Sequence, residues 1–84
     1  MKNFIVPENI AISDSGFIFL PSTGETFTLN EIGKEIFKLL QVRKSIDEIS
    51  SKILDEYEID PLTLERDIED FVLRLKSLNL VIEV

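Results

Sequence analysis

The hydrophobic pattern changes period at Asn30, and this change constrains the fold more than any other feature of the sequence. Before Asn30, short apolar runs alternate with polar residues and are separated by clusters of turn residues. After it, apolar residues recur three or four positions apart. The first pattern is typical of β-strands and the second of amphipathic helices. The sequence therefore predicts strands first and helices second.

The first thirty residues contain two clusters of turn residues, at 13–16 and 21–24, rich in Ser, Asp, Pro and Gly. These residue types favour tight turns because they bond to their own backbone, fix φ or tolerate positive φ. Two successive hairpins predict a three-stranded antiparallel sheet. Its strands are expected at about 8–13, 16–20 and 25–29.

The third predicted strand combines an apolar inner face with an uncharged outer face. Phe27 and Leu29 lie on the side opposite Thr26 and Thr28. Phe27 is expected in the core, so that Phe27→Ala costs about 3–5 kcal/mol of stability. The stretch from Thr26 to Asn30 carries no charge, and an open strand edge without charged residues can accept an extended peptide as an added strand.

Three helices are predicted from their starting signals. Asn30 is a good N-cap, Ser45 and Glu48 match a capping box, and Asp60-Pro61 combines a cap with proline at the first helical position. The expected helices span about 31–42, 46–57 and 61–79. The whole chain, 1–84, is therefore predicted to form one α+β domain with a winged-helix-like arrangement, in which three helices cover a three-stranded sheet.

Composition excludes several kinds of chemistry. The chain has no Cys and no His, which removes disulfides, thiol nucleophiles and the usual general base. Asp and Glu number 16 against 9 Lys and Arg, for a net charge of −7. The densest acidic cluster, over 55–60, lacks the glycine of a calcium loop. We expect no catalysis, no metal and no cofactor.

Charge and hydropathy also limit the surroundings of the chain. A surface this acidic repels nucleic acid and anionic lipid. No apolar run approaches the roughly 18 residues of a membrane span, and the first residues do not match a signal peptide. The expected location is the cytoplasm, and the expected partner is basic, neutral or apolar.

The third helix carries two leucines away from its main apolar stripe. At 100° per residue, Leu62 and Leu73 point about 160–180° from Leu64, so Leu73→Ala should leave the fold nearly intact. These leucines are either scattered surface residues, which are common, or part of a groove or a self-association contact. An open strand edge also allows a homodimer.

Several stretches between about residues 8 and 82 form a recognisable combination of motifs. The most telling part is the Leu29-Asn30 step into the first helix with Gly33 three positions on. The other parts are 16–21, 23–30, Ile36, 39–40, 45–49, Tyr57, Asp67, Phe71, Leu75, Leu78 and Leu80. Together they resemble one known family, the PqqD-like proteins.

The resemblance implies a winged-helix-like recognition element for ribosomally synthesised, post-translationally modified peptides. Such a domain binds the leader segment of a precursor peptide as an extra β-strand. It delivers the precursor to a modifying enzyme, often a radical SAM enzyme, or to a leader peptidase. Carried onto this sequence, the strand is Glu25, Thr26, Phe27, Thr28 and Leu29, and the candidates on the facing helix are Arg66, Glu69, Asp70, Leu73 and Arg74.

Two departures from the family leave the pathway open. Residues 41–44 lack the glycine usual after the first helix, and Asn79 stands where a glycine is usual. The pathway is pyrroloquinoline quinone synthesis, a lasso-peptide system or another. The alternative function is a winged-helix transcriptional regulator or a general protein-interaction domain. DNA binding is disfavoured because residues 65–70 of the third helix carry four acids and one base.

Overall fold

The computed structural model of the chain describes residues 3–21 and 23–84. Ser22, in the second predicted turn, lies outside the described residues, as do the first two residues of the chain. The described part is α+β, with three helices and two small sheets. In chain order its elements are β1 (Phe4–Ile5), β2 (Phe17–Phe19), β3 (Thr26–Thr28), α1 (Glu31–Gln41), α2 (Ile46–Glu56), α3 (Pro61–Ser77) and β4 (Ile82–Glu83).

The three helices begin where their cap signals predict. Asn30 caps α1 by accepting a hydrogen bond from the Gly33 N–H (2.7 Å), and Asp60 caps α3 by accepting from the Thr63 N–H (3.1 Å). Each helix ends one or two residues before its predicted end. Beyond α3, Asn79 adopts a left-handed conformation (φ 60°), which breaks the helical path.

The capping box of α2 makes the stability of the chain depend on pH. The backbone N–H of Ser45 donates to the Glu48 carboxylate (3.0 Å), and the Glu48 N–H donates to the Ser45 hydroxyl (3.2 Å). Three effects hold the pKa of Glu48 below its ordinary value of 4.5. In decreasing order, they are the hydrogen bond from the Ser45 backbone, the hydrogen bond with the Ser45 side chain and the charge of Lys44. The folded state therefore favours the charged carboxylate.

We expect Glu48→Gln to lower the melting temperature at neutral pH. A carboxyl group whose pKa is depressed by folding contributes stability above its unfolded pKa, and this contribution is lost as pH falls through the folded pKa. The difference from the parent should therefore shrink as pH falls below 4.5. Melting curves from pH 3 to pH 7 measure it, with Glu58→Gln as the control, since Glu58 is exposed. A difference independent of pH would contradict the prediction.

Residues 3–21 and 23–84 form two two-stranded sheets instead of the expected three-stranded sheet. β2 and β3 pair as an antiparallel hairpin, with Phe17 opposite Thr28. The first predicted strand, 8–13, contributes only an isolated bridge between Ile12 and Ile18. The physical reason is a turn at its start, where the Ile10 N–H donates to the Pro7 carbonyl (3.0 Å) and the Ile10 side chain is buried.

The two ends of the chain form a second sheet instead. β1 pairs antiparallel with β4, with Phe4 opposite Glu83 and Ile5 opposite Ile82. The Val84 N–H extends this pairing by donating to the Asn3 carbonyl (2.9 Å). Residues 81–84 are mostly apolar, which allows a strand, but the sequence does not indicate its partner.

Gly16 allows the hairpin to close against the start of α1. Its φ is +90°, and a Cβ atom there would lie 2.7 Å from the Leu29 carbonyl oxygen. The Gly16 carbonyl also accepts a hydrogen bond from the Leu29 N–H (2.8 Å). Only glycine combines this conformation with this close approach.

One apolar core joins the hairpin, the helices and the terminal sheet. Phe27, which was expected in this core, is only half-buried and packs against its edge. The exposed position predicted for Leu73 is confirmed, since 62% of its surface is accessible. The buried residues are Phe4, Ile10, Ile18, Leu20, Ile36, Phe37, Leu40, Ile49, Ile53, Leu64, Ile68, Val72, Leu75, Leu80 and Val81.

None of the helices formed by the described residues has the length and apolar character needed to cross a bilayer.

Candidate functional site: a groove between β3 and α3

The hydrogen-bond pattern of the hairpin shows which way each residue of β3 turns its backbone. The Leu20 N–H donates to the Glu25 carbonyl, and the Leu29 N–H donates to the Gly16 carbonyl, both at 2.8 Å. In an antiparallel pair, hydrogen-bonded positions alternate with positions whose groups point away from the partner strand. With the observed register, Thr26 and Thr28 therefore turn their N–H and C=O groups away from β2.

The outer edge of β3 is open. Within residues 3–21 and 23–84, no backbone group forms a hydrogen bond with the N–H or C=O of Thr26 or Thr28 on this side. Both residues are exposed and uncharged. The edge thus offers two donors and two acceptors in the spacing of a strand.

A groove of about 420 Å³ lies beside this edge, between β3 and α3. Its floor includes side chains of the core, among them Ile36, Leu75 and Leu80, which are all buried. The lining is formed by Phe27, Thr28, Leu29, Asn30, Ile32, Gly33, Ile36, Asp67, Asp70, Phe71, Arg74, Leu75, Leu78 and Leu80.

The missing side chain of Gly33 gives the groove depth near the start of α1. A Cβ atom at Gly33 would lie 3.0 Å from Asn30 Oδ1, 3.5 Å from Leu29 Cβ and 3.6 Å from Phe71 Cζ. A larger side chain at Gly33 would therefore fill the space between Leu29 and the half-buried Phe71 ring.

The charged groups of the groove all come from α3. Asp67, Asp70 and Arg74 are exposed, and none of them forms an ion pair with another described residue. The groove thus has an apolar floor and a charged wall. Such a site suits an extended peptide with apolar residues and a polar backbone.

Half of the ten predicted site residues line this groove. Thr26 adds the free backbone groups described above. The side chains of Glu25 and Arg66 line neither this groove nor a second groove on another face of α3. Glu69 and Leu73 line the other groove, on a different face of α3. The five that line the first groove are Phe27, Thr28, Leu29, Asp70 and Arg74.

Part of the α3 wall was not predicted from the sequence, although a signal for it exists. Asp67, Phe71 and Leu78 follow the helical spacing of Asp70 and Arg74, so all five form one stripe along the helix. Once Asp70 and Arg74 are assigned to the groove, the same stripe predicts the other three.

The family model for coenzyme PQQ synthesis protein D (PqqD) matches residues 16–81, which include β2, β3 and all three helices. The chain belongs to the PqqD family. The match spans both walls of the PqqD-family groove, from β3 to the end of α3. Among curated proteins, none matches the chain.

Two solved structures resemble this PqqD-family chain over nearly its whole length. TbiB1 in complex with the TbiA(beta) leader peptide is 31% identical, covers 92% of this chain and 93% of its own, and superposes with a TM-score of 0.81. Lasso peptide synthetase B1 complexed with the leader peptide is 26% identical, covers 94% and 96%, and has a TM-score of 0.82. Both are complexes of a small domain with a leader peptide.

No three His, Cys, Asp or Glu side chains lie close enough to hold a metal ion anywhere in the described part of this PqqD-family chain. The groove offers backbone groups, apolar side chains and three exposed charges.

Proposed function

We propose that this chain binds the leader segment of a ribosomally synthesised precursor peptide and delivers it to a peptide-modifying enzyme or a leader peptidase. The observation that carries the proposal is the free edge at Thr26 and Thr28, which opens directly onto the apolar groove. The two similar domains, each complexed with a leader peptide, support the same role.

The leader binds as an additional strand on β3. Its backbone pairs with the free N–H and C=O groups of Thr26 and Thr28, which supplies affinity with little dependence on sequence. Alternate side chains of an added strand point to opposite faces. Those on the inner face enter the groove beside Phe27 and Phe71, so the groove selects apolar residues in the leader.

The chain acts without catalysis of its own, and the partner enzyme supplies the chemistry. It has no His or Cys, and the groove residues suit binding. A radical SAM enzyme and a leader peptidase are the two partner classes we propose. The cytoplasm is the proposed location because precursor peptides of this class are made by ribosomes there.

The arrangement is winged-helix-like in this proposal, with β2 and β3 as the wing beside the three helices. The role differs from that of a winged-helix regulator, because α3 presents Asp67 and Asp70 to the groove. These carboxylates disfavour a phosphate backbone.

An amide NMR titration tests the proposal. The probe is the leader segment of the short peptide encoded next to this gene, added to ¹⁵N-labelled protein. We expect shifts concentrated in residues 26–29 and in the α3 stripe from Asp67 to Leu78. The same leader with N-methyl groups on alternate residues is the control, since methylation removes the donors that face β3. Equal binding of both peptides, or no shifts at millimolar leader, would contradict strand addition.

A further inference from the structure

A second groove, of about 370 Å³, lies on the other side of α3. At 100° per residue, the mean direction of the α3 residues of this groove is about 160° from that of the α3 residues of the first groove. Among the described residues, the two grooves share no lining residue. The second groove lies between β1, the start of α2 and α3. Its lining is Phe4, Ile46, Asp47, Ile68, Glu69, Val72 and Leu73.

The floor of the second groove is apolar and continues onto the surface. Phe4, Ile68 and Val72 are buried, whereas Leu73 is 62% exposed. A lone exposed leucine is common on proteins. Leu73 differs because it lies beside an apolar cleft, so its exposed surface and the cleft form one apolar patch.

Two charged residues of the described part of the chain line the second groove, and both are acidic. Asp47 comes from α2 and Glu69 from α3, so the carboxylates belong to two different walls. Neither forms an ion pair or hydrogen bond with another described residue. Among residues 3–21 and 23–84, no Lys or Arg lines this groove. The site therefore complements an apolar side chain flanked by two basic ones.

We propose that the second groove docks a basic, apolar helical segment of a partner protein. An amphipathic helix places its apolar side chains in such a groove and its Lys or Arg side chains beside the carboxylates on the walls. This goes beyond leader binding, because it lets α3 hold the leader on one face and a second protein on the other. A second copy of this chain is disfavoured, since its net charge is −7 and it would bring further carboxylates to the acidic walls.

The probe for this site is a synthetic peptide of about 12 residues, acetylated and amidated, with two leucines four positions apart flanked by arginines. A matched peptide carries citrulline, a neutral isostere, in place of each arginine. Titrated into ¹⁵N-labelled protein, the arginine peptide should shift Ile46, Ile68 and Leu73. The citrulline peptide should bind about tenfold more weakly, since two favourable charge pairs are lost.

The variants separate these two carboxylates from the general acidity of the chain. Asp47→Asn with Glu69→Gln should reduce the affinity for the arginine peptide to that of the citrulline peptide. Asp14→Asn with Glu58→Gln removes two exposed acids outside this groove and should leave the affinity unchanged. Equal weakening by both pairs, or no shifts in the second groove at millimolar peptide, would overturn the proposal.

Two further outcomes bear on the occupant. The arginine peptide and a leader peptide should bind together, with shifts in separate grooves, so that failure of one site is distinguishable from failure of the other. Mutual displacement would overturn simultaneous binding. Shifts in the second groove that depend on protein concentration without any peptide would show that a second copy covers it, which would also overturn the proposal.

Discussion

Replacing Thr28 by proline should strongly weaken the binding of a leader peptide while the chain stays folded. The Thr28 N–H points away from β2, so its loss breaks no hydrogen bond of the hairpin. Proline removes one donor from the open edge and places its ring where the added strand must approach. The residue before proline must be extended, and Phe27 already is, as part of β3.

Isothermal titration calorimetry with the leader peptide measures this effect. We expect the Kd to rise by at least about tenfold, which corresponds to about 1.4 kcal/mol and lies at the upper end of the net contribution of one ordinary hydrogen bond. Thr28→Val is the matched control, because it keeps the N–H and nearly the same shape. If Thr28→Pro melts near the parent temperature and still binds normally, the leader does not pair with this edge.

Much of the fold follows from local signals in the sequence. Asn30, Ser45 and Asp60 each start a helix at the predicted position, because a cap depends on backbone groups two or three residues away. The β2–β3 hairpin follows from its turn residues for the same reason. Such features need no knowledge of the rest of the chain.

The pairing of β1 with β4 in the terminal sheet could not be predicted from local signals. β1 pairs with β4 across almost the whole sequence, and two-residue strands carry too little pattern to reveal a partner. Because the chain turns after Pro7, Ile10 is buried in the core and only Ile12 forms a bridge with β2. The alternation of apolar and polar residues alone predicted a longer strand, over 8–13.

Only part of the candidate site was predicted, because it too depends on how elements distant in sequence pack together. Strand β3 and helix α3 were both chosen, and the groove lies between them. The side of α3 that faces β3 depends on how the helix packs across the core, which the periodicity does not specify. Asp70 and Arg74 therefore line the groove beside β3, while Glu69 and Leu73 line the second groove.

The largest loss of stability is expected for Phe37→Ala. Phe37 lies on α1 and is fully buried, with 0% of its surface accessible. Truncating a buried phenylalanine removes its transfer free energy and leaves a cavity, at a cost of about 3–5 kcal/mol. A chain of 84 residues is expected to have only about 4–13 kcal/mol of total stability. The variant should therefore melt well below the parent, and at the low end of this range it should be partly unfolded at 37 °C.

Phe27→Ala is the informative comparison, because it removes the same number of atoms from a half-buried position at the groove. Its cost should be about half that of Phe37→Ala, since part of the ring already contacts solvent. Leader affinity should fall in the folded fraction, because the inner face of the added strand loses a contact. Urea denaturation of both variants gives the two free energies. Equal destabilisation would show that Phe27 belongs to the core, and unchanged leader affinity would remove it from the binding groove.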